Sequence, residues 1–232
     1  MRGPMTGEEL HLFLDGMDIS GWGIADVEPC PEAAGFRRAI SLHQAYGLPE
    51  ACDPALGGEY DEEALHQAIL SARELTDRAA ASLSDFLEGH EVPHRVVPAS
   101  GQDPETLAGP FPVKLAATRA GLGWVGKSSL LVTRRHGPRV RLAAVLADFD
   151  CPADEPMSES RCGGCELCVD ACPYGYISGA EWEPGLPRDA LLDAFACSAR
   201  MEELGKPIGR KYSCGLCLLA CPYGGRGQKE RP

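Results

Sequence analysis

Residues 162–173 read CGGCELCVDACP, which is C-x2-C-x2-C-x3-C followed by proline. Three thiolates at two-residue spacing wrap one face of a [4Fe–4S] cubane, and the fourth, three residues further on, reaches a second cluster. A shorter run of the same kind, CGLCLLACP, lies at 214–222. Two cubanes need eight thiolates, and the runs supply seven. Cys197, isolated in DAFACSAR, is the natural eighth. The crossed rule predicts Cys162, Cys165, Cys168 and Cys221 on one cluster and Cys172, Cys197, Cys214 and Cys217 on the other. Zinc also takes C-x2-C pairs, but three cysteines at this spacing before Cys-Pro, and a second Cys-Pro run, suit iron–sulfur clusters better.

The other three of the 11 cysteines, Cys30, Cys52 and Cys151, are scattered and read as thiols without a ligand role. No histidine pair has metal-ligand spacing, and His66 reads as a surface or rim residue of a long helix rather than a ligand. The N-terminus lacks the basic region and longer apolar stretch of a signal peptide, so a cytoplasmic, reducing location is expected, where thiols serve metals rather than disulfides. No apolar run is long enough for a bilayer, so no membrane partner is expected. The net charge of −12 disfavours a nucleic-acid partner, tRNA included. The basic strip RRHGPRVR (134–141) and the tail RGQKERP (226–232) read as solvated surface.

Texture divides the 232 residues into 1–150, with alternating helical and extended patterns, and 151–232, rich in Cys, Gly and Pro. CPADEPMSESR (151–161) reads as the linker. Helices are expected at 7–17, 61–89 and 113–121; in the second, Leu65, Ile69, Ala72, Leu75, Ala79, Leu83 and Phe86 recur every three or four residues. Strands are expected at 23–27, 37–42, 94–99, 128–133 and 139–147, the last two joined by the turn RHGP. The fold class is therefore α+β: an α/β-type sheet domain with flanking helices, then a ferredoxin-like double [4Fe–4S] module.

One further stretch, GLGWVGKSS (121–129), satisfies both G-x-G-x-x-G and G-x-x-x-x-G-K-[ST]. Phosphate loops lie between a strand and a following helix, whose N–H groups face the phosphates. Here a helix comes before the glycines and a strand after them, so nucleotide binding is not expected. A helix-to-strand connection with Trp124 in the core accounts for the stretch equally well.

The order AGLGWVGKSSLLV, an apolar hairpin, CGGCELCVDACP, a lone Cys and CGLCLLACP resembles the epoxyqueuosine reductases. By motif the likeness spans about residues 107–223, and it extends more loosely through GIADVEP, RRAISL and HRVVP. Reductive dehalogenases share the arrangement more distantly. The resemblance implies cobalamin on an α/β domain beside two [4Fe–4S] clusters that reduce it, with Gly121, Gly123, Trp124, Gly126 and Lys127 near the corrinoid-facing side. The family's catalytic Asp falls on Leu107, with Asp103 and Glu105 out of register. The implied activity is that of an oxidoreductase. Electrons from a redox donor protein or low-potential reductant pass through the clusters to a corrinoid or small-molecule acceptor. Two alternatives stand beside it: a cofactor-free ferredoxin-type electron-transfer partner, and a tRNA epoxyqueuosine reductase using Glu105 or another acid.

Overall fold

The first element, helix α1 (Gly7–Asp15), starts where the sequence supplies a reciprocal cap. The Thr6 side chain accepts from the Glu9 N–H, and the Glu9 carboxylate accepts from the Thr6 N–H. In the computed structural model, which describes residues 5–97 and 103–224, eleven further α-helices and strands follow in chain order among the described residues. They are β1 (Gly21–Asp26), β2 (Arg38–Ala45), α2 (Glu62–Gly89), β3 (His94–Val97), α3 (Val113–Arg119), β4 (Gly123–Val125), β5 (Leu131–Thr133), β6 (Val140–Ala147), α4 (Leu167–Asp170), α5 (Ala194–Gly205) and α6 (Leu216–Leu219). Pro98 and Ala99, the end of one expected strand, and the tail 226–232 lie outside the described residues. No helix among the described residues is long and apolar enough to cross a membrane.

Two compact units alternate along the chain. The first comprises residues 1–45, 72–122 and 141–157; the second comprises 46–71, 123–140 and 158–232. This differs from the single division near residue 150 suggested by texture, because segments 46–71 and 123–140 group with the cysteine runs.

In the first unit, strands in the order β1-β2-β6-β3 form one sheet, with β1 antiparallel to β2 and β3 antiparallel to β6. Alternate residues supply its two cores. Ile40, Leu42, Ala143 and Val145 pack with Leu10 and Leu14 of α1 and Leu83 and Leu87 of α2. Ala39, Ala144 and Leu146 pack on the opposite core with Ala116 and Ala120 around α3. Burial on both faces explains the near-continuous apolar reading of β6.

The expected linker 151–161 begins as part of this unit. Ile24 donates its N–H to the Asp154 carboxylate at 2.7 Å, and Asp154 donates its N–H to the Ile24 carbonyl at 2.8 Å. Met157 donates to the Thr118 carbonyl at 2.7 Å. The segment thus satisfies backbone groups on the edge strand β1, a use that polar, proline-containing composition does not reveal.

The expected pairing of 128–133 with 139–147 is also replaced. β5 pairs with β4, so the glycine stretch itself supplies a strand, while β6 joins the larger sheet. Between β5 and β6 the chain turns tightly, with Thr133 and Gly137 exchanging backbone hydrogen bonds at 2.9 and 3.0 Å.

Candidate metal centre

The second unit is built around the two cysteine runs, which repeat one local design. Gly163 and Gly215, each following the first cysteine of its run, have φ of +51° and +60°. That left-handed conformation costs a glycine little, and it turns the chain toward the short helix that carries a later cysteine of each run. Cys168 lies on α4 and Cys217 on α6, and these two helices pack together. Both runs close in Cys-Pro-Tyr-Gly, with positive φ again at Gly175 and Gly224. Cys197 comes from α5, whose first turn is capped by the Asp193 carboxylate accepting from the Ala196 N–H.

Burial and neighbouring thiols raise five of these cysteines, and the thiol neighbours fall into two sets joined through Cys217 and Cys168. Burial raises the Cys168 pKa, and the neighbouring thiols of Cys162 and Cys165 add to the rise. Burial pushes Cys221 up to about 11 despite the nearby Arg139 guanidinium, with Cys162 and Cys168 as its thiol neighbours. Burial likewise raises Cys197, beside Cys172 and Cys214, and Cys214, beside Cys172. Cys217 is pushed up to about 12 by burial and then by Cys214, Cys197, Cys168 and Cys172. Cys168 next to Cys217 brings the two sets near each other.

Such a place is hostile to bare thiolates and suited to a cationic iron–sulfide core that takes them as ligands. Among the described residues no three Cys, His, Asp or Glu side chains close on one point to hold a single metal ion. Ligands of a cubane stand around the core rather than at one point. The donor set therefore fits two [4Fe–4S] clusters.

The ends of the second run are anchored by the segments that texture assigned to the N-terminal domain. At the Cys214 end, Arg210 binds the Glu62 carboxylate through both terminal nitrogens at 2.7 Å and reaches Glu63 at 2.6 Å. Ser213 donates its N–H to Glu62 at 2.7 Å, and Tyr60 donates its hydroxyl to the Cys214 carbonyl at 2.9 Å. Leu65 fills the space beside Gly215, where a Cβ would lie 2.3 Å from its Cδ2. His66, expected at the surface or rim, is half-buried and contacts the Ser213 hydroxyl at 3.0 Å.

At the Cys221 end stands Arg139, which the sequence reading left within a solvated basic strip. Its side chain is 7% exposed and is paired at 2.6 Å with Asp53, 1% exposed. Only Arg134 and Arg135 of the strip's first five residues are exposed. A local charge run cannot show that one member turns inward to meet a carboxylate 86 positions away.

The Glu62 pairing gives a pH signature. Arg210 holds the Glu62 carboxyl below the usual carboxylate range. Its contribution to stability is present above the ordinary pKa, ~4.3, and is lost as pH falls through the lowered value. Glu62→Gln should therefore lower the thermal midpoint at neutral pH, and its deficit relative to the parent should shrink below pH ~4. A deficit that stays constant across that range would assign the loss to packing instead.

The stretch 121–127 turns out to be packed against protein. Trp124 is 0% exposed and meets Tyr223 edge-on at 4.8 Å between ring centroids; Lys127 is 6% exposed. A Cβ on Gly123 would lie 2.2 Å from the Val132 carbonyl oxygen, and one on Gly126 would lie 2.8 Å from Val132 Cγ2 and 3.6 Å from Cys162 Sγ. Gly121, at φ +65°, would place a Cβ 2.6 Å from the Glu155 carbonyl oxygen. These glycines permit close approach of β4 to β5, of Gly126 to the first cluster cysteine, and of Gly121 to the 151–157 segment. An open cleft of about 580 Å³ in the first unit, with Leu12, Phe13, Met17 and Leu75 among its lining, includes none of them. Gly123→Ala should cost about 3 kcal/mol through overpacking against backbone, read as a lower thermal midpoint. An unchanged midpoint would show that β4 can shift away.

The acids near Leu107 are also placed. Asp103 accepts backbone N–H bonds from Glu105 and Thr106 at 2.8 and 2.9 Å, which hold its carboxyl below the usual range. It is a turn-forming carboxylate, ill suited to donate a proton. Leu107 itself sits at φ +50°, a conformation that non-glycine residues other than Asn and Asp rarely adopt.

Comparisons with known proteins follow the same outline. Residues 161–224 match a family model described as a 4Fe-4S double cluster binding domain. The chain is 39% identical over 77 residues to the epoxyqueuosine reductase of Vibrio cholerae serotype O1, covering 33% of this chain and 21% of that protein. It is 43% identical over 68 residues to that of Leadbetterella byssophila, covering 29% and 22%. The matched segment is thus about a fifth of each relative's length. The solved structure of epoxyqueuosine reductase from Streptococcus thermophilus superposes with a TM-score of 0.62 at 18% identity, over 94% of this chain and 65% of that one. An epoxyqueuosine reductase holding a modified tRNA stem loop superposes at 0.58, with 18% identity over 94% and 64%. A reductive dehalogenase described in terms of B12-dependent dehalogenation superposes at 0.55, with 18% identity over 68% and 23%. The chain therefore carries a 4Fe-4S double cluster binding domain, is similar in sequence to epoxyqueuosine reductases, and shares their mixed α and β fold.

Proposed function

We propose that this protein is an iron–sulfur oxidoreductase module. Cys162, Cys165, Cys168 and Cys221 hold one [4Fe–4S] cluster, and Cys172, Cys197, Cys214 and Cys217 hold the other. The observation that supports this most is that thiol neighbours cross between the runs: Cys221 stands beside Cys162 and Cys168, and Cys197 beside Cys172 and Cys214. Bound there, the clusters supply one-electron transfer. The chain's residues provide the thiolates, turn the backbone around them at Gly163 and Gly215, and fix the second run through Glu62, Arg210 and Arg139. The electron donor is a low-potential reductant or redox protein, and the acceptor belongs to the part of the chain before residue 150. The setting is the cytoplasm.

Cobalamin is the acceptor suggested by the dehalogenase neighbour. Gly121, Gly123, Trp124, Gly126 and Lys127 are the residues that the resemblance places near it. Anaerobic purification with added cobalamin tests both points. About eight irons per chain support the module, and corrinoid retained through gel filtration supports a corrinoid acceptor site. Eight irons without corrinoid make the protein a ferredoxin-type electron-transfer partner. Stoichiometric zinc without iron overturns the reading.

The fold shared with a tRNA-bound reductase favours a second reading, reduction of a modified base in tRNA. Against it stand the net charge of −12 and the turn-bound Asp103. Unchanged queuosine in tRNA from a deletion strain eliminates this reading; its loss establishes it.

A further inference from the structure

The Asp53–Arg139 pair is the most completely satisfied buried charge cluster in the second unit. Arg139 Nε donates to Asp53 Oδ2 at 2.6 Å, and Nη2 donates to Asp53 Oδ1 at 3.2 Å. Nη2 also donates to the Leu219 carbonyl at 2.9 Å, and Nη1 donates to the carbonyls of Cys221 and Tyr223 at 3.3 and 3.0 Å. These contacts use the full fork of five N–H groups. One edge faces a carboxylate, and the other gathers three carbonyls that bracket the last cysteine of the second run.

Stability is a weak reason for such a pair. Desolvation of two buried charges offsets much of their attraction, and apolar residues of similar volume serve equally well. A planar, permanently charged fork does two things that apolar packing cannot. It fixes the orientation of successive carbonyls, and it sets the positive end of an ion-pair dipole toward Cys221, with the negative end held away by Asp53.

We propose that Arg139, oriented by Asp53, is a positioning residue that sets the reduction potential of the cluster held by Cys162, Cys165, Cys168 and Cys221. This rests on the two-cluster reading above. A four-thiolate cluster gains negative charge when it accepts an electron, and net charge and hydrogen bonding near the ligands set its potential. A guanidinium in a weakly screened interior favours the reduced form. Asp53 moderates that field and locks the fork in place.

The test is an anaerobic redox titration of the full-length protein, followed by electron paramagnetic resonance, with iron counted for each sample. Asp53→Asn keeps a hydrogen-bonding partner and removes the opposing charge. It should raise one of the two cluster potentials, by roughly a tenfold change in the reduced-to-oxidised ratio, ~59 mV for one electron, and leave the other in place. The double variant Asp53→Asn with Arg139→Gln removes both charges and should lower that same potential below its value in Asp53→Asn. If Asp53→Asn does not fold, the double variant carries the test, and one potential must fall below the parent's. Full iron content with both potentials unmoved, or both moved equally, overturns the proposal while leaving the two-cluster reading intact. A parent protein without iron overturns the two-cluster reading itself.

Discussion

Replacing Cys197 with Ser should leave about four of ~eight irons per chain, because it removes one ligand from one cubane only. Cys197 lies outside both spaced runs, on α5, and its thiol is raised by burial and by Cys172 and Cys214. Those neighbours belong to different runs, as crossed ligation requires. Cys221→Ser should remove the other cluster, since its thiol neighbours are Cys162 and Cys168. Combining the two substitutions should empty the protein. Alanine at Cys30 or Cys151 should leave the iron unchanged. The Cys30 thiol donates to Glu32 at 3.0 Å, and Cys151 lies 3.9 Å from His11 Nε2, both remote in sequence from the runs. Iron counts paired with visible absorbance decide the matter. Retention of all the iron in Cys197→Ser would remove that residue from the ligand set.

Asp53→Ala is expected to be the most damaging single change outside the cysteines. It strands the Arg139 guanidinium, 7% exposed, without its carboxylate, and truncation of one partner of a buried pair costs about 3–5 kcal/mol. Arg139 also binds the carbonyls of Leu219, Cys221 and Tyr223, so the loss reaches the second cysteine run directly. The measurement is the thermal midpoint of the iron-loaded protein under anaerobic conditions at one scan rate. Glu8→Ala, at an exposed position of α1, is the control and should fall close to the parent. Equal midpoints for Asp53→Ala and Glu8→Ala would show that the buried pair contributes nothing.

Much of the secondary structure was legible because its causes are local. The apolar rhythm of 61–89 predicts α2 within one residue at its start, and the helix expected before the glycines and the strand expected after them are both present. The four-stranded sheet was legible as strands and not as a topology. β5 and β6 are adjacent in sequence, yet β5 pairs with the glycine stretch and β6 pairs with β3. Nothing between residues 128 and 147 specifies that choice. It depends on Gly123 having no Cβ where the Val132 carbonyl must pass.

Seven of the eight proposed cluster ligands follow from order in the chain, because two- and three-residue spacings limit which thiols one short backbone segment can bring to one cubane. The supports of those ligands do not. Glu62, Asp53 and Arg139 have no spacing relation to the cysteines, and each acts through a partner at least 80 residues away. Ordinary polar residues become structural anchors only when folding excludes water from around them, since burial makes an unmet charge or carbonyl costly. Local spacing therefore names the metal chemistry, and long-range burial decides which side chains hold it in place.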